Sequence, residues 1–260
     1  MTNVVASVLG LFCGIAMMSA AVNASPLAQD EEESNKKLVL AYWDNATPPF
    51  AILENGELKA GIIYDIGQNL AKRLNVRVEY KLVPTKRIER ELLSGGIDLD
   101  CITSPIWKEN PDAYLWSPVL FTGADRFLLQ KQSDITISSV ADLKGLRVGV
   151  YPGYTYHDDV MKMLNSGAAH RVPVKGVDHG IKLLLAGRID TLIDFGVLLR
   201  HKIKTQGLYD QLVLADAPAD EFELRCACSP KARINRDMLS RQLQAMVNDS
   251  TIARILARYQ

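Results

Sequence analysis

One order of parts occurs twice along this chain of 260 residues, and that repeat is what most restricts the fold. An apolar run leads into a turn rich in proline, glycine or aromatic residues, and a helical pattern follows. The first copy is Leu38-Val39-Leu40-Ala41-Tyr42-Trp43-Asp44, with Pro48-Pro49-Phe50 after it. The second is Leu146-Arg147-Val148-Gly149-Val150-Tyr151, with Pro152-Gly153-Tyr154-Thr155 after it. Strands alternating with helices build mainly parallel sheets covered on both faces. Two such units joined edge to edge leave a cleft, and small molecules bind in clefts of that kind.

The ends of the chain set the compartment. Val4 to Val22 is apolar, rich in small residues and uncharged, and it closes on Val22-Asn23-Ala24, a small-x-small cleavage pattern. No Lys or Arg precedes the run, and its length approaches that of a membrane span. Its Ala, Gly and Ser content favours a removed signal, residues 1–24, over a retained anchor. Residues 25–36 read as a solvated tether, charged and without apolar periodicity. The predicted destination is the periplasm. Lys plus Arg number 30, and Asp plus Glu number 30. Without a net field, the chain is not expected to bind nucleic acid or an anionic lipid surface. Beyond the signal, Cys101, Cys226 and Cys228 remain, which allows one internal disulfide at most. Cys226 and Cys228 share a strand face at a separation near the upper limit for bridging. That leaves Cys101 with either of them, or three buried free thiols.

The pattern between the ends is that of two lobes. Asn55-Gly56 signals a tight hairpin. Ile63, Ile66, Leu70 and Leu74 recur at helical spacing. Strands are expected at Leu38–Tyr42, Val76–Leu82, Ile97–Thr103 and Ile189–Phe195, with late strands at Leu212–Leu214 and Phe222–Cys228. A short helix over Arg87–Ser94 is stopped by Gly95-Gly96. Helices are also expected at Tyr156–Leu164, Gly180–Ala186, Asp237–Met246 and Thr251–Arg258. Phe121–Gln130 is expected to be extended and to leave the first lobe.

These pieces resemble the type II periplasmic solute-binding proteins, family 3, the amino-acid-binding cluster. The resemblance lies in Pro48-Pro49-Phe50, Asn55-Gly56-Glu57, Gly61 with Tyr64-Asp65-Ile66, and Leu93-Ser94-Gly95-Gly96-Ile97-Asp98. It continues through Trp116-Ser117-Pro118, Asp142-Leu143-Lys144-Gly145, Val148-Gly149-Val150 with Gly153, and Ala186-Gly187-Arg188-Ile189-Asp190. No single piece is specific, but the ordered set is. It implies two α/β lobes that close over a solute by hinge bending through two crossovers. Lobe one would hold residues 37–127 and 222–260, and lobe two residues 128–221. The implied partners are a small-molecule solute and an inner-membrane ABC permease or sensor receptor that recognises the closed monomer.

The resemblance also marks two departures. Family members hold an α-carboxylate with an arginine after the third strand; that position falls on Asn110. They hold the ammonium with an aspartate after the last strand of lobe two; that position falls on Phe195, with Asp194 one residue short. A shift of one residue turns a strand side chain to the other face. An altered or differently held solute is therefore expected.

Candidate ligand-binding residues follow from position and chemistry. Phe50, Trp107 and Tyr154, with Trp43 and Tyr156, are aromatic faces at the cleft, able to sandwich a flat or cationic solute or simply to pack. Asp44 ends the first strand, Thr103 and Ser104 follow the third, and Thr155 sits behind a glycine that permits close approach. Asp194 reaches the cleft if a bulge restores it. Arg87, in the cluster Lys86, Arg87 and Arg90, is the predicted replacement for the missing arginine. Asp65 is expected to cap or orient the helix beginning near Ile63. No standard metal spacing, phosphate-binding loop or nucleophile motif is present, so no cofactor or metal is expected. The alternative to a binding protein is a secreted dehydratase-like enzyme on the same scaffold, with Asp44, Asp65 or Asp194 as general acid.

Overall fold

The computed structural model describes Met1 and residues 37–260, apart from Thr155. The secretory signal beyond Met1 and the whole tether, residues 25–36, lie outside the described residues, as does the candidate Thr155.

Leu38 to Tyr42 are all buried and make the body of β1 (Lys37–Trp43). A run apolar on both faces suits a central parallel strand. β1 lies parallel to β4 (Arg77–Val83) and to β5 (Leu99–Thr103). The Asn55-Gly56 turn joins β2 (Ile52–Glu54) to β3 (Glu57–Ala60), and both turn residues have positive φ, 53° and 80°. That is the left-handed pair a two-residue hairpin loop requires. The expected stripe Ile63, Ile66, Leu70 and Leu74 is the buried face of α1 (Ile62–Leu74). Of the two roles expected for Asp65, it orients this helix and does not cap it, since the N-cap is Gly61. Its carboxylate accepts from Tyr259 Oη at 2.7 Å and pairs with Arg258 at 3.0 Å, tying α1 to the end of the chain. α2 (Ile88–Ser94) stops at Gly95, whose φ of 80° is left-handed.

Past the short β6 (Leu115–Trp116), β7 (Phe121–Gln130) crosses to the second lobe. There β8 (Arg147–Val150), α3 (Asp158–Asn165), β9 (His170–Pro173), α4 (Val177–Leu185), β10 (Thr191–Phe195) and α5 (Gly196–Thr205) alternate. β11 (Leu212–Cys228) returns, and α6 (Arg236–Asn248) and α7 (Thr251–Tyr259) close the chain against α1.

The two expected late strands are the two ends of one 17-residue strand, β11. It runs antiparallel to β7, with Leu212 opposite Gln130 and Leu224 opposite Phe121. The register slips on either side of Pro218. A residue without an N–H cannot donate to the ladder, so the irregularity falls there. The crossovers are thus one two-stranded ribbon, and the two lobes share one strand path, β4-β1-β5-β11-β7-β10-β8-β9. Each lobe keeps its own buried cluster. Leu40, Ile63, Ile66 and Leu243 belong to one, and Phe127, Val148, Val160 and Ile193 to another.

Cys101 of β5 and Cys226 of β11 stand opposite each other and form a disulfide, closing a loop 125 residues apart in sequence. Cys228 pairs in register with Leu99 instead, and it is buried and free.

Candidate functional site

At the carboxyl ends of β4, β1 and β5 lies a cavity of about 440 Å³. Ligands bind beyond the carboxyl ends of parallel strands because adjacent loops part there. Trp43 and Asn45 come from the end of β1, Thr85 from the turn after β4, Ile88 from the start of α2, and Asp100, Ile102 and Thr103 from β5. Trp107 and Lys108 follow β5, and Tyr154 reaches over from the second lobe. A second chamber of about 160 Å³ shares Trp43, Ile102, Trp107 and Tyr154. Phe50, Asp125, Phe195, Phe222 and Leu224 complete it against the crossover ribbon.

The second chamber is aromatic, and its rings touch across the lobes. Phe50 stacks on Phe195 with centroids 5.5 Å apart, Phe195 meets Phe222 at 5.6 Å, and Trp107 stands edge-on to Phe222 at 4.9 Å. Trp107 and Tyr154 remain 48% and 44% exposed although large and apolar. Two half-covered rings on opposite lobes are surfaces that a flat or cationic guest can occupy.

A bulge in β5 shapes the floor. Thr103 pairs with Arg225 and Cys101 with Cys226, so two steps on β5 answer one on β11 and Ile102 is the extra residue. Its φ is +61°, a left-handed conformation that a β-branched side chain rarely takes. Bulges re-aim side chains, and this one places Ile102 in the wall of both chambers. The disulfide at Cys101 anchors the strand one residue away.

Three charged groups enter the cavity walls. Asp100 and Lys108 form an ion pair at 2.9 Å with side chains 3% and 9% exposed. Burial pushes the Asp100 carboxyl above its ordinary range, opposed by the Lys108 charge. Its Oδ2 accepts from Lys108, while its Oδ1 is buried with no hydrogen-bond partner. Asp125 is the third, 4% exposed. Tyr154 Oη donates to its Oδ2 at 3.2 Å. Burial and the neighbouring Asp194 charge push the Asp125 carboxyl up to about 7. Burial also holds the Tyr154 phenol well above its usual range. Among the described residues, no group of three or more His, Cys, Asp or Glu side chains gathers as a metal site needs.

Of the residues singled out from the sequence, Phe50, Thr103, Trp107 and Tyr154 come together in these walls. Asp44 does not join the described lining residues. Its carboxylate accepts from the backbone and hydroxyl of Thr85 at 3.1 and 2.9 Å, which hold it well below the carboxylate range. Its neighbour Asn45 and its partner Thr85 face the cavity instead. Ser104 is buried where it precedes the turn Pro105–Trp107. Arg87 is exposed on the turn Thr85–Arg87, while Thr85 and Ile88 on either side wall the cavity. No bulge brings Asp194 to the cleft. It pairs in register with Arg126, accepts from Tyr151 Oη and the Phe195 N–H, and burial raises it to about 6.

Asp100, Lys108 and Asp125 escaped the sequence reading. Asp100 sits in what reads as a buried strand, and Asp125 in an extended linker whose register partner is not visible in one dimension. The one signal was Lys108, a cation two residues before the expected arginine position.

With this geometry in view, the relatives are informative. The profile of bacterial extracellular solute-binding proteins, family 3, matches residues 39–260. The chain belongs to that family. It is 24% identical over 249 residues to a probable amino-acid-binding protein of Bacillus subtilis, a match covering 94% of this chain and 90% of that one. It is 29% identical over 147 residues to the histidine-binding periplasmic protein of Salmonella typhimurium, covering 55% and 56%. That second match spans about half the length of either chain. Among solved structures, an ancestral amino acid-binding protein, described as a precursor of cyclohexadienyl dehydratase, superposes with a TM-score of 0.63. The match is at 20% identity and covers 90% of this chain and 99% of that one, which shows the shared two-lobed fold. This family member therefore carries the fold of the amino-acid-binding proteins but neither Arg at 110 nor Asp at 195.

Proposed function

We propose that this protein captures a small polar solute, an amino acid or a related compound, in the cleft between its lobes by hinge closure. It then presents the closed form, in the periplasm, to an ABC permease or a sensor receptor of the inner membrane. One observation carries the reading: the cavity walls are divided between two lobes that a single β7–β11 ribbon connects. A guest touching Trp107 on one side and Tyr154 on the other gains contacts in the closed arrangement that the open one lacks. Differential contact of this kind is what a ligand needs to shift such an equilibrium. Buried carboxylates in an aromatic enclosure favour a guest bearing a positively charged nitrogen.

The test is a thermal-shift screen of the mature chain against amino acids, polyamines, organic acids and small peptides, followed by small-angle scattering with each hit. A ligand that binds only the native state raises the melting temperature, and a captured solute should also reduce the radius of gyration. Hits that leave the radius unchanged would remove hinge closure from the reading.

A second reading, a dehydratase-like enzyme, is supported by Asp125. Burial and the neighbouring Asp194 charge push its carboxyl up to about 7, the direction a general acid needs. Turnover of a cyclic hydroxy acid, in place of stoichiometric stabilisation, would select this reading.

A further inference from the structure

Asn110 and Phe195 occupy the two positions where the family pattern places its charged anchors, and each has a charged neighbour that walls the same cleft. We infer that Lys108 and Asp125 hold the zwitterionic head of the solute, Lys108 taking its carboxylate and Asp125 its ammonium, with Asp100 positioning Lys108. This assignment rests on the solute-capture reading above and names the groups that make it work.

The first half of the argument is a count of unspent hydrogen bonds. A lysine ammonium carries three N–H donors. Among the described residues, Asp100 Oδ2 is the one acceptor recorded for Lys108, at 2.9 Å. Asp100 Oδ1 is the one buried side-chain oxygen among them without a partner. A buried ion pair is favourable only when the remaining donors and acceptors are also satisfied. Here both members are left short, and both wall the cavity. A carboxylate arriving at Lys108 completes the lysine side, and any donor on the same guest has Asp100 Oδ1 behind it.

The second half is register. Asp125 of β7 stands directly opposite Phe195 of β10 in the antiparallel ladder. Opposed residues present their side chains on the same face of a sheet. The carboxylate that the pattern expects at 195 is therefore supplied one strand over, on the same surface. Asp194, adjacent in sequence, is already engaged by Tyr151 and the Phe195 N–H. Among the described residues, Asp125 holds one hydrogen bond, from the neutral Tyr154 hydroxyl at 3.2 Å, and the charged groups acting on it, Asp194 and Asp220, are both acidic. A buried carboxylate without a cation is an unfinished site for an ammonium group. Lys108 follows β5 in the first lobe, and Asp125 lies on the crossover strand where it pairs with the second. A guest bound to both spans the cleft, so its two charges favour the closed form.

The experiment is titration calorimetry on the mature chain with L-amino acids, their carboxamides and their des-amino acids. For an amino acid that binds, the amide and the des-amino analogue should each bind about a hundredfold more weakly, as expected when a desolvated charge loses its partner. Asp100→Asn/Lys108→Met replaces the ion pair by neutral groups without leaving a buried charge alone. It should lose about as much affinity and no longer distinguish acid from amide. Asp125→Asn should no longer distinguish amine from des-amino analogue. Thermal unfolding without solute establishes that each variant is folded. Wild-type affinity in either variant, or an amide that binds as well as its parent acid, overturns the assignment. If the wild-type chain binds only solutes lacking one of these groups, solute capture stands and the assignment falls. If it binds none of the screened compounds, both fall.

Discussion

Replacing Asp125 by Asn should make the empty protein more stable while disabling its site. Asp125 is buried, and its carboxyl rises from an ordinary 3.8 to about 7. A folded-state value above the unfolded one means that the native protein binds this proton more tightly. Below about pH 4 both states are protonated, and the group has no effect on stability. As pH rises from about 4 to about 7 the unfolded chain ionises freely while the folded one resists, so stability falls; above that the loss is complete. At about 1.4 kcal/mol for each tenfold difference in proton affinity, the ceiling is about 4 kcal/mol at pH 8 and under about 2 kcal/mol at pH 5. Relaxation around the charge and its coupling to Asp194 lower the realised value to about half. Asn keeps an oxygen that can accept from Tyr154 Oη and carries no charge to bury. For a domain of this size, a gain of about 2 kcal/mol raises the melting temperature by about 4–8 °C at pH 8. The difference from wild type should shrink markedly by pH 5. Calorimetric melts of both proteins at the two pH values, without solute, measure it directly. A variant no more stable than wild type at pH 8, or one that melts with the same pH slope, refutes the reasoning. Stability gained by removing the proposed ammonium anchor is the exchange expected if Asp125 is a binding group held in an unfavourable setting.

Three other outcomes follow from the same geometry. Cys101→Ala/Cys226→Ala opens a 125-residue loop and should lower stability by about 2–5 kcal/mol in urea titration, and reductant should have the same effect on wild type but none on the variant. Arg87→Ala should leave solute affinity within about twofold, since the side chain is exposed off the described cavity walls; a tenfold loss by calorimetry would restore it as a ligand anchor. Trp107→Ala should weaken solute binding by about tenfold to a hundredfold, because an aromatic wall of both chambers is removed. Its half-exposed ring contributes less to the empty fold, so the apo melting temperature should move by only a few degrees.

The lobes were legible because their signals are local. The stripe Ile63, Ile66, Leu70 and Leu74, the run Leu38 to Tyr42 and the Asn55-Gly56 turn each state a period or a backbone conformation within a few residues. Phe50, Thr103, Trp107 and Tyr154 were legible as cavity-wall residues because they lie at or beyond strand ends, where a parallel sheet opens to ligand. Asp44 and Arg87 lie at strand ends too, but their neighbours Asn45 and Thr85 turned inward. Which of two adjacent loop residues faces a cavity depends on backbone torsions that a residue list does not contain.

By itself the amino-acid order determined most of the elements, though not the helix Gly196–Thr205, together with the two-lobed α/β class and the residues Asn110 and Phe195 at the two expected anchor positions, since each depends on residue identity along one stretch of chain. Only the tertiary structure decided that Cys101 meets Cys226, that Leu212 to Cys228 is one strand, and that Asp125 stands across from Phe195. Those are matters of register between segments far apart in sequence. A slip of one residue exchanges the two faces of a strand, and only packing of the whole core selects which face looks into the cleft.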